Sequence, residues 1–196
     1  MAKEQGYKSR AAFKLLEAVK KYRLIKAGDI VLDFGAAPGG WLQVAAETVG
    51  AQGLVVGVDL VMVSLSDENV VSVQSDVNSP ELPAMLERIL PRKADVVLSD
   101  LSPQVSGVWD LDHFRQTELT LASVSLMERF IRRRGNAMLK IFDGERFLEL
   151  RSHLTKRFET VHVIKPQASR KASSELYLLC LDYSFEQSTT APTTSA

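Results

Sequence analysis

Cysteine is almost missing from this chain of 196 residues: there is one, Cys180, inside an apolar run. One cysteine cannot form an internal disulfide, which fits a reducing cytoplasm. The three histidines stand far apart, at positions 113, 153 and 162, so with a single cysteine they exclude the usual four-ligand structural zinc site. No apolar run approaches the roughly 18 residues needed to span a bilayer. The first eight residues, Met-Ala-Lys-Glu-Gln-Gly-Tyr-Lys, are polar, which argues against secretion. Net charge is absent as well: 24 Lys and Arg balance 24 Asp and Glu. That balance argues against a protein that coats nucleic acid through bulk charge.

What is present describes one globular domain. Hydrophobic residues make up 45% of the chain and charged residues 24%, enough to bury a real core. The domain is expected over 1–183. Residues 184–196, rich in Ser, Thr and Ala, have the composition of a disordered tail. The charge is unevenly spread. Residues 1–26 carry eight Lys and Arg against two Glu, and residues 151–171 carry six against one, so the middle is acidic. Two basic ends could make one anion-binding face if they meet in space, or simply two solvated helix faces. Charge alone does not choose between them.

Hydrophobic spacing predicts helices over 9–26, 41–49, 80–90, 112–134 and 145–157. Ser9 is the expected N-cap of the first. The fourth opens on acidic residues and closes on Arg132, Arg133, Arg134 and Gly135, as a helix dipole and a glycine C-cap would favour. Strands are predicted over 29–34, 53–58, 70–74, 94–98, 136–142, 160–164 and 175–181. Their alternation with helices implies a mostly parallel α/β sheet. The last two strands are joined by a short basic loop with no room for a crossover helix, so they should pair antiparallel.

In such a sheet, ligands bind where the strands end. The first strand runs into Asp33-Phe-Gly-Ala-Ala-Pro-Gly-Gly-Trp41, whose glycines allow a tight turn and a close backbone approach at a helix N-terminus. The spacing is neither the dinucleotide G-x-G-x-x-G nor a Walker A loop. Asp59 ends the second strand, where a carboxylate can accept both hydroxyls of a ribose. Asp76 follows the third and suits a base edge. With the glycine turn these residues describe a nucleoside pocket. Asp100 follows the fourth strand. Lys140 sits inside an apolar fifth strand, where a lysine needs a partner or a purpose. If strands four and five are neighbours, Asp100 and Lys140 can meet at the carboxyl edge. If the last strand is antiparallel, Glu175 joins them. Trp109, in the loop region after the fourth strand, suits either stacking on a base or loop packing. The histidines read as surface residues and Cys180 as core.

Taken together, Ser9-Arg-Ala-Ala-Phe-Lys14, Asp33–Trp41, Asp59, Asp76, Asp100, Lys140 and Ser173-Ser-Glu175 resemble the FtsJ/RrmJ type of ribosomal RNA 2′-O-ribose methyltransferase, over most of the chain. The resemblance implies a single-domain, Rossmann-like α/β fold with seven strands, one of them antiparallel, and helices on both faces. It implies S-adenosyl-L-methionine as cofactor, held by Gly39, Trp41, Asp59, Asp76 and Asp100. It also implies a catalytic set of Lys14, Asp100, Lys140 and Glu175 acting on a uridine of large-subunit ribosomal RNA. Lys140 would either remove the proton of the 2′-hydroxyl or stabilise charge developing on its oxygen. The basic segments, with Lys8, Arg10, Arg170 and Lys171, would contact phosphates. The expectation is a monomeric, cytoplasmic enzyme with no metal and no membrane contact, whose partner is ribosomal RNA within the large subunit. A transfer RNA substrate, a small-molecule substrate and a non-catalytic RNA-binding assembly role are the alternatives.

Overall fold

Strand β1 (Ile30–Phe34) is buried along its whole length, and it lies third of seven in the sheet. The computed structural model describes residues 6–104, 106–167 and 175–184. The chain runs α1 (Ala11–Tyr22), β1, α2 (Gly40–Val49), β2 (Leu54–Asp59), β3 (Val70–Gln74), α3 (Leu82–Ile89) and β4 (Ala94–Ser99). It continues through α4 (Trp109–Phe130), β5 (Ile131–Phe142), α5 (Glu145–Thr155), β6 (Phe158–Ile164) and β7 (Glu175–Tyr183). The seven strands form one sheet in the order β3-β2-β1-β4-β5-β7-β6. β7 enters backwards between β5 and β6 and is antiparallel to both.

Helices cover both faces, which is why the central strands read as unbroken apolar runs. Side chains alternate across the sheet. Ile30, Leu32 and Phe34 of β1 join a core with α3, α4 and α5, through Leu86, Met127 and Leu154. Val31 joins the other core, where Leu15 of α1 and Trp41 and Leu42 of α2 pack. Asp33 shares that second face.

Two sequence expectations are corrected. The first helix is shorter than 9–26. It starts after Arg10, which occupies the N-cap without a side-chain bond, and it stops where Arg23 turns left-handed (φ 53°) and donates its N–H to the Val19 carbonyl. Ser9 is therefore not the cap. The basic run after α4 is not a helix end either. Ile131 already has extended backbone (φ −74°, ψ 139°), and Arg132, Arg133, Arg134 and Gly135 belong to β5. Gly135 is needed there by close approach: a Cβ would lie 3.0 Å from the Asp95 carbonyl oxygen and 2.6 Å from Ile131 Cγ1. The β4–β5 register slips at the same point, where Ala94 faces Ile131 but Val96 faces Asn136. From residue 185 onward the expected tail lies outside the described residues.

Candidate active site

Strand register assembles the site. Ser99 pairs with Leu139, so Asp100 and Lys140 follow side by side at the carboxyl rim. Because β7 is antiparallel, its first residues reach the same rim: Phe142 pairs with Glu175 and Lys140 with Tyr177. The Lys140 side chain is 3% exposed. Its Nζ donates to the Asp100 carbonyl oxygen at 2.8 Å and to Ser102 Oγ, and lies 3.1 Å from Asp100 Oδ1 and 3.8 Å from Glu175 Oε1. Lys14 comes in from α1. Its Nζ donates to the Tyr177 hydroxyl at 2.9 Å and lies 3.3 Å from Glu175 Oε2. Tyr177 in turn donates to Asp100 Oδ1 at 2.7 Å. Burial, then the charge of Asp100 beside it, pushes the phenol far above its ordinary range, so Tyr177 stays a donor.

All four residues of the expected catalytic set thus share one cluster. Tyr177 and Ser102 complete it, and sequence reading missed both. Tyr177 had a signal: it stands two residues after Glu175 on a strand, hence on the same face. Ser102 had none, since only the loop geometry brings its hydroxyl to Lys140.

Beside the cluster lies a cavity of about 610 Å³, lined among others by Gly35, Ala37, Asp59, Leu60, Asp76, Val77, Asp100 and Leu101. Asp59 accepts the backbone N–H groups of Ala37 (2.9 Å) and Val61 (3.0 Å), so it also pins the glycine turn. Asp76 accepts the Asn78 N–H at 2.8 Å. Gly35 (φ 81°) lets the β1 and β4 loops touch: a Cβ there would stand 2.9 Å from the Leu101 nitrogen. Gly39 and Trp41 do not line this cavity. Gly39 sits in the turn with φ 106° and donates its N–H to the Ala36 carbonyl. The Trp41 indole is buried, donates to the Ala11 carbonyl at 2.7 Å and packs 5.9 Å from the Tyr177 ring. Its place is the joint between α1, α2 and β7.

Four carboxylates, from Asp59, Asp76, Asp100 and Glu118, face one guanidinium, Arg115, around the cavity. Such walls repel phosphates and attract a cation. Asp33 adds to this field. It is 0% exposed, and among the described residues neither carboxylate oxygen has a hydrogen-bond partner. Burial, and then the charges of Asp100 and Asp59, hold its carboxyl well above the usual carboxylate range.

The FtsJ-like methyltransferase profile matches residues 7–183. The chain belongs to that family. It is 50% identical over 185 residues to the ribosomal RNA large subunit methyltransferase E of Cenarchaeum symbiosum, covering 93% of this chain and 92% of that protein. The same enzyme of Nitrosopumilus maritimus is 42% identical over 183 residues, with 93% and 92% covered. Among solved structures, a ribosomal RNA methyltransferase from Plasmodium falciparum superposes with a TM-score of 0.80 at 32% identity, covering 90% of this chain and 98% of that one. Aeropyrum pernix fibrillarin, crystallised with S-adenosyl-L-methionine, shares the fold (TM-score 0.59, 16% identity, 89% and 75% covered).

An FtsJ-like methyltransferase needs a place for S-adenosyl-L-methionine, and the cavity suits it. That molecule carries a sulfonium, an ammonium, a ribose and one carboxylate but no phosphate, which matches acidic walls with a single guanidinium, Arg115, and apolar patches at Leu60, Val77 and Leu101. Of the expected RNA contacts, Arg10 is exposed at the start of α1. The Lys8 ammonium is instead taken by the Ser64 carbonyl. Arg170 and Lys171 lie outside the described residues. Among the described residues, no group of three His, Cys, Asp or Glu could hold a metal ion, and no helix is long and apolar enough to cross a membrane.

Proposed function

We propose that this protein transfers a methyl group from S-adenosyl-L-methionine to a ribose 2′-hydroxyl of large-subunit ribosomal RNA, at a uridine. The observation that carries the reading is the buried Lys140, gripped by Asp100 and reached by Glu175, beside a cavity where four carboxylates face the one guanidinium of Arg115. The names of the relatives, ribosomal RNA large subunit methyltransferases, support the substrate class.

The cofactor supplies an electrophilic methyl on its sulfonium; everything else falls to the chain. Asp59 would be the partner for the ribose hydroxyls of the cofactor, Asp76 for its base edge, and Asp100 for its charged end. Lys140 finds only acceptors around Nζ, which suits a donor-only ammonium. It holds the target hydroxyl and stabilises the charge growing on its oxygen. Lys14, through Tyr177 and Glu175, fixes the acidic frame that aims Lys140. Much of the rate then comes from alignment.

Arg10, Lys20, Lys21 and Arg23, at the two ends of α1, and Arg170 and Lys171, just before Glu175, are the proposed phosphate contacts. Mass spectrometry of digested large-subunit RNA from cells with and without the protein tests the function. A single 2′-O-methyluridine should vanish without it; unchanged methylation of every large-subunit ribose refutes the substrate.

A further inference from the structure

Next to the Lys140 cluster stands a group of rings that the methyl-transfer step does not use. Trp109, the first residue of α4, is 59% exposed. Its ring lies nearly parallel to that of Phe142 (9°), with centroids 6.4 Å apart, and His113 stands 6.0 Å from the one and 6.3 Å from the other. A core cluster would bury such a surface. Here the chain leaves it open, with Phe114 also exposed beside it.

The rings are anchored rather than loose. His113 Nε2 lies 3.3 Å from the Asp143 carbonyl oxygen. A Cβ on Gly144 would fall 2.2 Å from the same nitrogen, so the turn after β5 presses against the imidazole. A cavity of about 430 Å³ opens at this place, edged by the carboxylates of Asp110 and Asp143 and the guanidinium of Arg146. The carboxylates accept the N–H groups of a base, and the guanidinium donates to a base oxygen or to the phosphate beside it. The position matters as much as the chemistry. Phe142 is two residues beyond Lys140 on the same strand, about 6.6 Å along an extended backbone. It also pairs directly with Glu175.

We infer that Trp109, His113 and Phe142 form a nucleobase-docking site, which takes the base of a nucleotide next to the target ribose by stacking. The inference rests on the proposed RNA substrate and adds a specificity element to it. An unstacked base gains on such a platform whatever its identity, so the site selects single-stranded or splayed nucleotides over duplex.

The test uses the whole protein with large-subunit RNA for methylation and a single-stranded oligouridylate for binding. Trp109→Ala should raise KM for the RNA about tenfold, with kcat and the affinity for S-adenosylhomocysteine little changed. Trp109→Phe should restore most of the loss. Trp41 is 3% exposed, so quenching of the exposed tryptophan emission by the oligonucleotide reports on Trp109, and it should disappear in Trp109→Phe. If Trp109→Ala methylates RNA with an unchanged KM and the wild-type emission is not quenched, the docking site is refuted while the proposed function stands. If the wild type neither binds nor methylates any RNA, both fall.

Discussion

The two rims of the sheet each bury ionic groups, and they treat them in opposite ways. At the amino rim, Asp95 is 5% exposed and fully engaged. It accepts the Ile30 N–H at 2.7 Å, pairs with Arg92 at 2.7 Å and pairs with Arg132. Burial pushes its carboxyl up, but the hydrogen bonds from Arg92, Ile30 and Arg132 together outweigh that and hold it below the usual value. At the carboxyl rim, carboxylates outnumber the ammonium groups of Lys14 and Lys140 that pair with them. Asp33 has none, and Asp59, Asp76 and Asp100 look into a cavity. The amino rim staples β1, β4 and β5 together. The carboxyl rim keeps its charge available, and burying charge without pairing it is rarely a route to stability. The contrast separates groups engaged in holding strands together from groups that line a cavity.

The sharpest way to break this contrast is Lys140→Ala. We expect methyl transfer to fall about a thousandfold, while calorimetry shows S-adenosylhomocysteine still binding. Methylation near the wild-type rate would strip the carboxyl rim of its catalytic centre. Next in size is Asp59→Ala, which should weaken S-adenosylhomocysteine about 10- to 100-fold through lost charge-assisted hydrogen bonds; unchanged affinity would move the cofactor elsewhere.

The amino rim should respond in stability instead. Asp95→Ala leaves the buried Ile30 N–H unpaired, costing about 2 kcal/mol, with S-adenosylhomocysteine affinity intact. Because the Asp95 carboxyl sits below its unfolded value, its contribution is present above about pH 4 and is lost as pH falls through the folded value. Melting curves of wild type and variant should therefore converge in acid.

The smallest effect has the reverse sign. The Asp33 carboxyl sits above its unfolded value, so its contribution is complete below about pH 4 and declines as pH rises toward the folded value. Asp33→Asn should melt a few degrees higher than wild type at pH 7, with the gain shrinking toward pH 4. A variant that melts lower at every pH would mean that Asp33 is paired after all.

The contrast was only half legible in the sequence. The strand ends with Asp59, Asp100, Lys140 and Glu175 could be read because the carboxyl edge of an α/β sheet follows from strand order and direction. The amino rim stayed hidden. Arg132 to Gly135 look like a helix terminus, since three arginines and a glycine complement a dipole as well as they serve a strand. What decides is tertiary: Asp95, 37 residues upstream of Arg132, draws that arginine across, and only glycine fits at 135. Trp41 and Lys8 show what spacing leaves open. Each stands in a stretch that suggests ligand or RNA contact, yet the indole is used for packing and the ammonium by the Ser64 carbonyl. Whether a side chain points inward or outward beside a turn cannot be computed from spacing.

The reversed direction of β7 has its own consequence. The other strands offer their exits to the site, whereas β7 offers its entrance, so Glu175 directly follows the basic stretch 165–174. The stretch is thus joined through a single peptide unit to a carboxylate that lies 3.8 Å from the Lys140 ammonium. If it meets RNA as proposed, recharging it would change what is presented to Lys140 while the strand pairing from Glu175 onward stays as it is.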